Sequence, residues 1–392
     1  MKLARRALEF LSSFGLVCVL LLCLFLLTLF GTLYQVEAGL YDAQKRYFES
    51  WIVVQREPIP LVLPGGLFCM GLLAVNLLVG GLIRIRKSFK TAGVLVVHVG
   101  IALLLAAGLV KLSGSDDGHL TLTEGQASDE FESYFLWEVA IWDADQTGPV
   151  EEHLIPHEDL IELGGGARRL FTSAALPFDL ELGNFLKNCQ PLPKGPNWQA
   201  QSPVLEGFAF LAAPDEKEAE QNIAGLWAQF RDRASGKTSE ALLWGVERHP
   251  ATFESGGKRW AITLRHKRYS MPFTIRLEDF RKEDHPGMSM ARSFESDVTK
   301  LEQGSEEKIR IQMNEPLRHE GLVLFQSSWG PQNAPPGARL FSVFSVVRNP
   351  SDYWPLYSCI LIGIGLILAF VPKLLKFVRS QGRERARPQP GT

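Results

Sequence analysis

The chain reads as four apolar runs, with a long polar and alternating stretch separating the third from the fourth. No charge interrupts residues 10–36 or 58–83, and further apolar runs cover 91–110 and 353–372. About twenty apolar residues let a helix cross the roughly 30 Å hydrocarbon core. The pattern therefore predicts transmembrane helices at about 10–35, 59–83, 91–111 and 353–372. The first run ends in Val36-Glu37-Ala38, which resembles a signal-peptide cleavage site, but it is far longer than a signal h-region and is read as a retained anchor. One polar residue, His98, breaks the third run. An ionisable side chain at that depth is disfavoured and faces protein, water or a ligand. His98 is accordingly either a polar contact between helices or a ligand.

Between the membrane runs the period changes. In the outer loop at 36–57, Val36, Leu40, Ala43, Tyr47 and Trp51 keep helical spacing, with Phe48 and Ile52 widening the stripe, which predicts an interfacial amphipathic helix. From Gly118 onward short alternating runs are broken by Gly, Pro, Asn and Asp. LTLTEG at 120–125, FDLEL at 178–182 and FTIRLE at 273–278 alternate as half-buried strands do. Residues 215–230 are the one place in this region where a short helix is expected. LPFDLELGNF at 176–185 matches MPFTIRLEDF at 271–280, and later residues answer one another in the same order: Ser202-Pro203-Val204 with Ser296-Asp297-Val298, Gly225-Leu226 with Gly321-Leu322, Arg248-His249-Pro250 with Arg348-Asn349-Pro350. Reuse of a small β vocabulary would give some of this. The kept order favours two duplicated β-rich units at about 164–250 and 256–350.

The expected fold class is thus an α+β membrane protein. It has an N-terminal membrane domain at 1–112, a β-rich domain at 113–352, a fourth transmembrane helix at 353–372 and a basic tail at 373–392. Charge orients it. Lys2, Arg5 and Arg6 precede the first run; Arg84, Arg86, Lys87 and Lys90 lie between the second and third; Lys373, Lys376, Arg379, Arg383, Arg385 and Arg387 follow the fourth. The positive-inside rule places these clusters and both termini in the cytoplasm, and the large domain outside. Overall charge is balanced, 41 basic against 43 acidic residues, which speaks against nucleic acid as a partner.

Chemistry-bearing motifs are sparse. Of the five cysteines, Cys18, Cys23, Cys69 and Cys359 lie in apolar runs and only Cys189 lies in the polar middle, with no CxxC or CxxCH among them. His153 and His157 have the four-residue spacing of a helical metal pair, but Pro156 between them opposes a helix. His119, just past the third run, is a weaker candidate for meeting a ligand that emerges along that helix. His285 and His249 read as turn residues, and Gly164-Gly165-Gly166 lacks the lysine and the helix of a phosphate loop. No catalytic residues are predicted.

Residues 314–329, NEPLRHEGLVLFQSSW, followed by FSVVRNP at 344–350 and the last apolar run, resemble the ResB/CcsB family of cytochrome c biogenesis. Asn314, Pro316, Leu317, Gly321, Phe325, Gln326, Ser327 and Ser328 match its pattern; His319 stands where the family often has Tyr, and Leu324 replaces an aromatic. MPFTIRLEDF with Pro286-Gly287 and Ser296-Asp297-Val298, Gly31-Thr32 after the first run, and Gly93, His98 and Gly100 in the third are similar too. The resemblance implies a bacterial inner-membrane subunit that works with a CcsA-type partner to move haem b outward for covalent attachment to apocytochrome c. It implies an accessory role in a cytochrome c synthase complex, not catalysis by this chain alone. It also makes His98 a candidate axial ligand of haem. The competing expectation is a membrane-anchored outer scaffold that ligates no haem. His98 lies eight residues beyond Lys90, about 12 Å along a helix, in the inner half of the bilayer.

Overall fold

The structure is a computed structural model and describes residues 2–55, 60–288, 291–332, 335 and 337–385. The start of the second predicted span, at Pro58 and Ile59, and the end of the basic tail, including Arg387, lie outside the described residues. The chain forms two compact units, one made of the residues up to Ser115 together with those from Asn349 onward, the other of Asp116–Arg348. Its helices are α1 (Lys2–Leu11), α2 (Phe14–Ala43), α3 (Gly66–Asn76), α4 (Ala92–Gly114), α5 (His157–Ile161) and α6 (Trp354–Arg385). The fold is α+β: four helices long and apolar enough to cross a membrane, three N-terminal and one C-terminal, enclose a β-rich region in sequence.

In the membrane unit the Ser13 side chain accepts from the Leu16 amide and caps α2, which then runs past the expected end of the first span. Gly39 takes φ 83° and kinks it, and a π-turn at Gln44–Phe48 completes the helix. Only the first part of the 36–57 stripe is therefore helical. Ile52 opens strand β1 (Ile52–Gln55), which pairs antiparallel with β2 (Leu61–Pro64). Pro60 and Pro64 oppose a helix there, so the second apolar run becomes helical only at Gly66 and ends in a π-turn at Leu77–Ile83. Asn76 donates to the carbonyls of Leu11 (2.6 Å) and Ser13 (3.1 Å), satisfying the chain where α1 gives way to α2. The last helix continues through Pro372 to Arg385. Against it, α4 presents glycine: a Cβ on Gly93 would lie 2.5 Å from the Ala369 amide nitrogen, and one on Gly365 would lie 2.7 Å from the Gly93 carbonyl. Close backbone approach at small residues is how helices pack where no hydrophobic effect drives them together.

The second unit holds β3 (Asp116–Thr123), β4 (Ala127–Asp143), β5 (His153–Ile155), β6 (Arg168–Phe171), β7 (Phe178–Leu186), β8 (Cys189–Pro193), β9 (Phe208–Ala212), β10 (Gly225–Asp232) and β11 (Thr238–Trp244). It continues with β12 (Ala251–Ser255), β13 (Lys258–Asp284), β14 (Ala291–Glu302), β15 (Ser305–Gln312), β16 (Leu317–His319), β17 (Leu322–Gly330) and β18 (Phe341–Arg348). The large sheet runs β15-β14-β13-β4-β3-β18-β17-β16, with β12 on β13 and β5 on β4; a smaller sheet runs β11-β10-β7-β6. The large sheet curls until β15 meets β16 and β17. Residues 215–230 carry a 3₁₀ turn at Ala219–Gln221 and then β10, not the expected helix. Pairing with β7 and β11 on both sides buries Leu226, Ala228 and Phe230, which overrides the local helical tendency. The two stretches with matching motifs pair differently: β7 lies between β6 and β10, while residues 274–284 of β13 pair with β14 and only Ile275 and Arg276 of them also with β4.

Two cores fill the unit. Trp137, Ile141, Trp260, Ile262 and Leu264 join β7 and β10 in one, and Phe131, Phe273, Ile275 and Leu277 join β17 and β18 in the other. β4 and β13 contribute to both. The carboxylate of Asp232 accepts from Ser235 Oγ and amide (both 2.6 Å), Ser255 Oγ (2.5 Å) and the Gly256 amide (3.1 Å), tying β10 to the β12–β13 turn.

Two outcomes follow. Gly93→Leu or Gly365→Leu forces α4 and α6 apart and lowers the stability of the detergent-solubilised chain by about 1–3 kcal/mol in thermal denaturation; an unchanged midpoint would contradict the packing. The hydrogen bonds from Ser235, Ser255 and Gly256 hold the Asp232 carboxyl below the usual carboxylate range. A depressed folded-state value gives stability that is present above the unfolded value of about 3.9 and is lost as pH falls below it. Asp232→Asn should flatten the fall in unfolding midpoint expected of the native chain as pH drops below about 4.

Candidate functional site

His98 stands in α4, five residues after Gly93 and two before Gly100. At 100° per residue this sets it roughly 140–160° round the helix from the glycines that face α6. The ring meets the end of the second span instead. Its Nδ1 lies 3.1 Å from the carbonyl oxygen of Gly81, within the π-turn. The last carbonyls of a helix have no partner within it, and one buried in hydrocarbon needs a donor from elsewhere. A Cβ on Gly81 would come 3.1 Å from His98 Nδ1, so the missing side chain is what lets the ring approach.

That contact assigns the tautomer. A carbonyl oxygen only accepts, so Nδ1 carries the proton and donates, and Nε2 of the neutral ring keeps its lone pair. Ligating histidines are held in this way, with the other ring nitrogen donating to a carbonyl or carboxylate. His98 is half-buried. Farther along α4, beginning roughly 9 Å from His98 at 1.5 Å per residue, an apolar cavity of about 660 Å³ is lined by Thr28, Gln35, Met70, Gly71, Leu104 and Gly108 among others, with no histidine.

The remaining histidines lie in the second unit. His119 is on β3, stacked on Tyr134 with ring centroids 5.3 Å apart, and burial lowers its pKa. It is brought beside His266 of β13, at 6.2 Å. His266 received no role from the sequence, although it continues the even-numbered register of Trp260, Ile262 and Leu264 that faces the core. His153 sits on β5 and His157 opens α5 behind Pro156, so the two do not share a helical face. Nδ1 of His157 accepts from the Trp137 amide at 3.2 Å, and burial lowers its pKa. His249 lies in a turn where its amide meets Glu247.

His319, Glu302 and Glu320 bring ligand atoms within 4.8 Å of one another. The Lys300 ammonium already lies 3.6 Å from Glu302 and 3.3 Å from His319 Nδ1, so the group is an ion-pair network that closes β14 onto β16. Cys189 is buried under Gly225, where a Cβ would come 2.5 Å from the sulfur, and burial pushes its thiol up to about 12. It packs as a small apolar side chain.

The motif residues of the second unit have structural work. Ser296 Oγ donates to Gln326 Oε1 at 2.6 Å and Gln326 Nε2 donates to Ser342 Oγ at 2.9 Å, joining β14 to the facing β17 and β18. Asn314 and Gly321 both take positive φ, 66° and 74°, at the turns on either side of β16.

No curated protein matches the chain. The model of the ResB-like family matches residues 251–337, which hold β12 through β17 and the Ser296 and Gln326 motifs. This match agrees with the ResB/CcsB resemblance that the motifs in the same stretch carry.

Proposed function

We propose that this chain is the haem-handling ResB/CcsB-like subunit of a bacterial inner-membrane complex, working with a CcsA-type partner to deliver haem for covalent attachment to apocytochrome c. The observation that carries the reading is the His98 imidazole: Nδ1 is committed to the Gly81 carbonyl, which leaves the Nε2 lone pair as an axial donor. Imidazole is a standard haem ligand, and a neutral ring is far less costly to bury than a charge. Haem here is cargo. His98 holds it by one nitrogen, and since the described membrane helices of this chain carry no other histidine, a second axial ligand comes from the partner.

Topology refines the role. With the basic clusters and both termini in the cytoplasm and the β-rich unit outside, His98 lies about 12 Å along the helix from Lys90, in the inner half of the bilayer. A ligand at that depth captures or passes haem, and ligation to apocytochrome belongs to the outer face and to the partner. The chain is thus an accessory subunit.

The complex of the full chain with its partner should show b-type haem absorbance. His98→Ala should abolish or strongly reduce that absorbance and cytochrome c maturation together. Gly81→Val, which leaves the histidine in place but crowds Nδ1, should weaken haem retention to an intermediate level. Unchanged haem content and maturation in His98→Ala would sink the ligand assignment and leave an outer scaffold as the function.

A further inference from the structure

A pair of imidazoles sits in the second unit, where a fault in strand register makes room for it. On β13, His266 opposes Trp137 of β4 and Arg268 opposes Glu132, so residues 133–136 bulge out against Lys267 alone. On the other side of β4, His119 of β3 opposes the same Glu132. The bulge is held by Ser133, whose Oγ accepts from the amides of Phe135 (3.3 Å) and Leu136 (3.2 Å). Its aromatic side chains wall the gap. Tyr134 stacks on His119, Trp137 stacks on His266 with centroids 3.9 Å apart, and the two imidazoles face each other edge-on, 6.2 Å apart at 81°.

Nδ1 of His119 and Nδ1 of His266 are both shut off from solvent without a hydrogen-bond partner. Leaving a buried polar atom unsatisfied costs about 1–3 kcal/mol, and two on neighbouring rings mark a place where something binds. Burial lowers the pKa of both rings, that of His266 to about 4, so each is a neutral lone-pair donor at pH 7. His266 is further oriented by a hydrogen bond to the backbone of Leu136.

We propose that His119 and His266 form a two-nitrogen site for a single monovalent copper ion. Two imidazole nitrogens each about 2 Å from one ion put the ring centroids roughly 6 Å apart, and the spacing here is 6.2 Å. Among the described residues, no carboxylate or thiolate joins these rings in a three-ligand cluster. Zinc wants four ligands and calcium or magnesium wants oxygens, whereas a d¹⁰ monovalent ion accepts two neutral nitrogens, and imidazole suits copper. The aromatic walls keep water out. Access is from the His119 side, where a polar cavity of about 300 Å³ is lined by Gln126, Ser128, Glu130, Glu132 and Arg268. The site does not involve His98, and it gives His119 a different ligand from the one the sequence suggested.

The test uses the full chain in detergent, titrated anaerobically with Cu(I) against a chromogenic chelator. One copper per chain is expected, with X-ray absorption showing two nitrogen ligands. His119→Gln and His266→Gln should each weaken binding by at least roughly tenfold, while His98→Ala and His157→Gln retain it, which separates this site from haem handling. Near-UV circular dichroism checks that the variants fold. Retention of the copper by a folded His119→Gln/His266→Gln double variant, oxygen or sulfur ligation in the native protein, or no copper held against the chelator would each overturn the proposal.

Discussion

Inside a bilayer a polar group has no water to turn to, so its partner must come from protein or ligand. The membrane unit is arranged around that shortage. Thr28 and Thr32 return their hydroxyls to carbonyls one turn back, at 2.9 and 2.8 Å. Asn76 reaches across to the break between α1 and α2, and the Ser351 hydroxyl donates to the Ala107 carbonyl at 2.9 Å. His98 meets the same demand with one nitrogen and has one to spare. The glycine that brings its ring close to the second span and the π-turn that ends that span are parts of one arrangement, whose product is a lone pair in hydrocarbon.

In the second unit the corresponding constraint is continuity of backbone pairing. β4 and β13 are long enough to serve both cores, and their register slips twice, opposite Lys267 and again between Ser270 and Ile275. The first slip opens the gap lined by His119, Tyr134, Trp137 and His266. Along the same sheet the Ser296–Gln326–Ser342 bonds and the Lys300–Glu302–His319 network hold the curled strands together. Of the residues that carry the family resemblance, Ser296 and Gln326 are among those that hold the sheet in its curl.

Much of this could be read from periodicity. Unbroken apolar length is a sufficient signal for a membrane helix, because nothing else in a chain needs twenty such residues in a row. The four runs, the β-rich middle and the place of His98 within the third run were all legible on that basis. Turn chemistry was legible too, at His285, whose carbonyl accepts from the Met288 amide at 3.1 Å across a turn in which Gly287 takes φ 78°. Local pattern failed where pairing decides. Residues 225–232 have no strong period of their own and become a strand because β7 and β11 lie on either side. Ile52 continues a helical stripe yet enters a hairpin with the proline-flanked Leu61–Pro64.

By itself the sequence determined which segments are apolar enough for a membrane, which side of them is basic, and that one histidine lies within. Those are properties of composition along a line. Only the tertiary structure decided which nitrogen of His98 is occupied, because the Gly81 carbonyl that occupies it comes from another helix 17 residues away. Only it decided that His119 belongs with His266, since strand register, not sequence distance, brings β3 and β13 to opposite edges of β4.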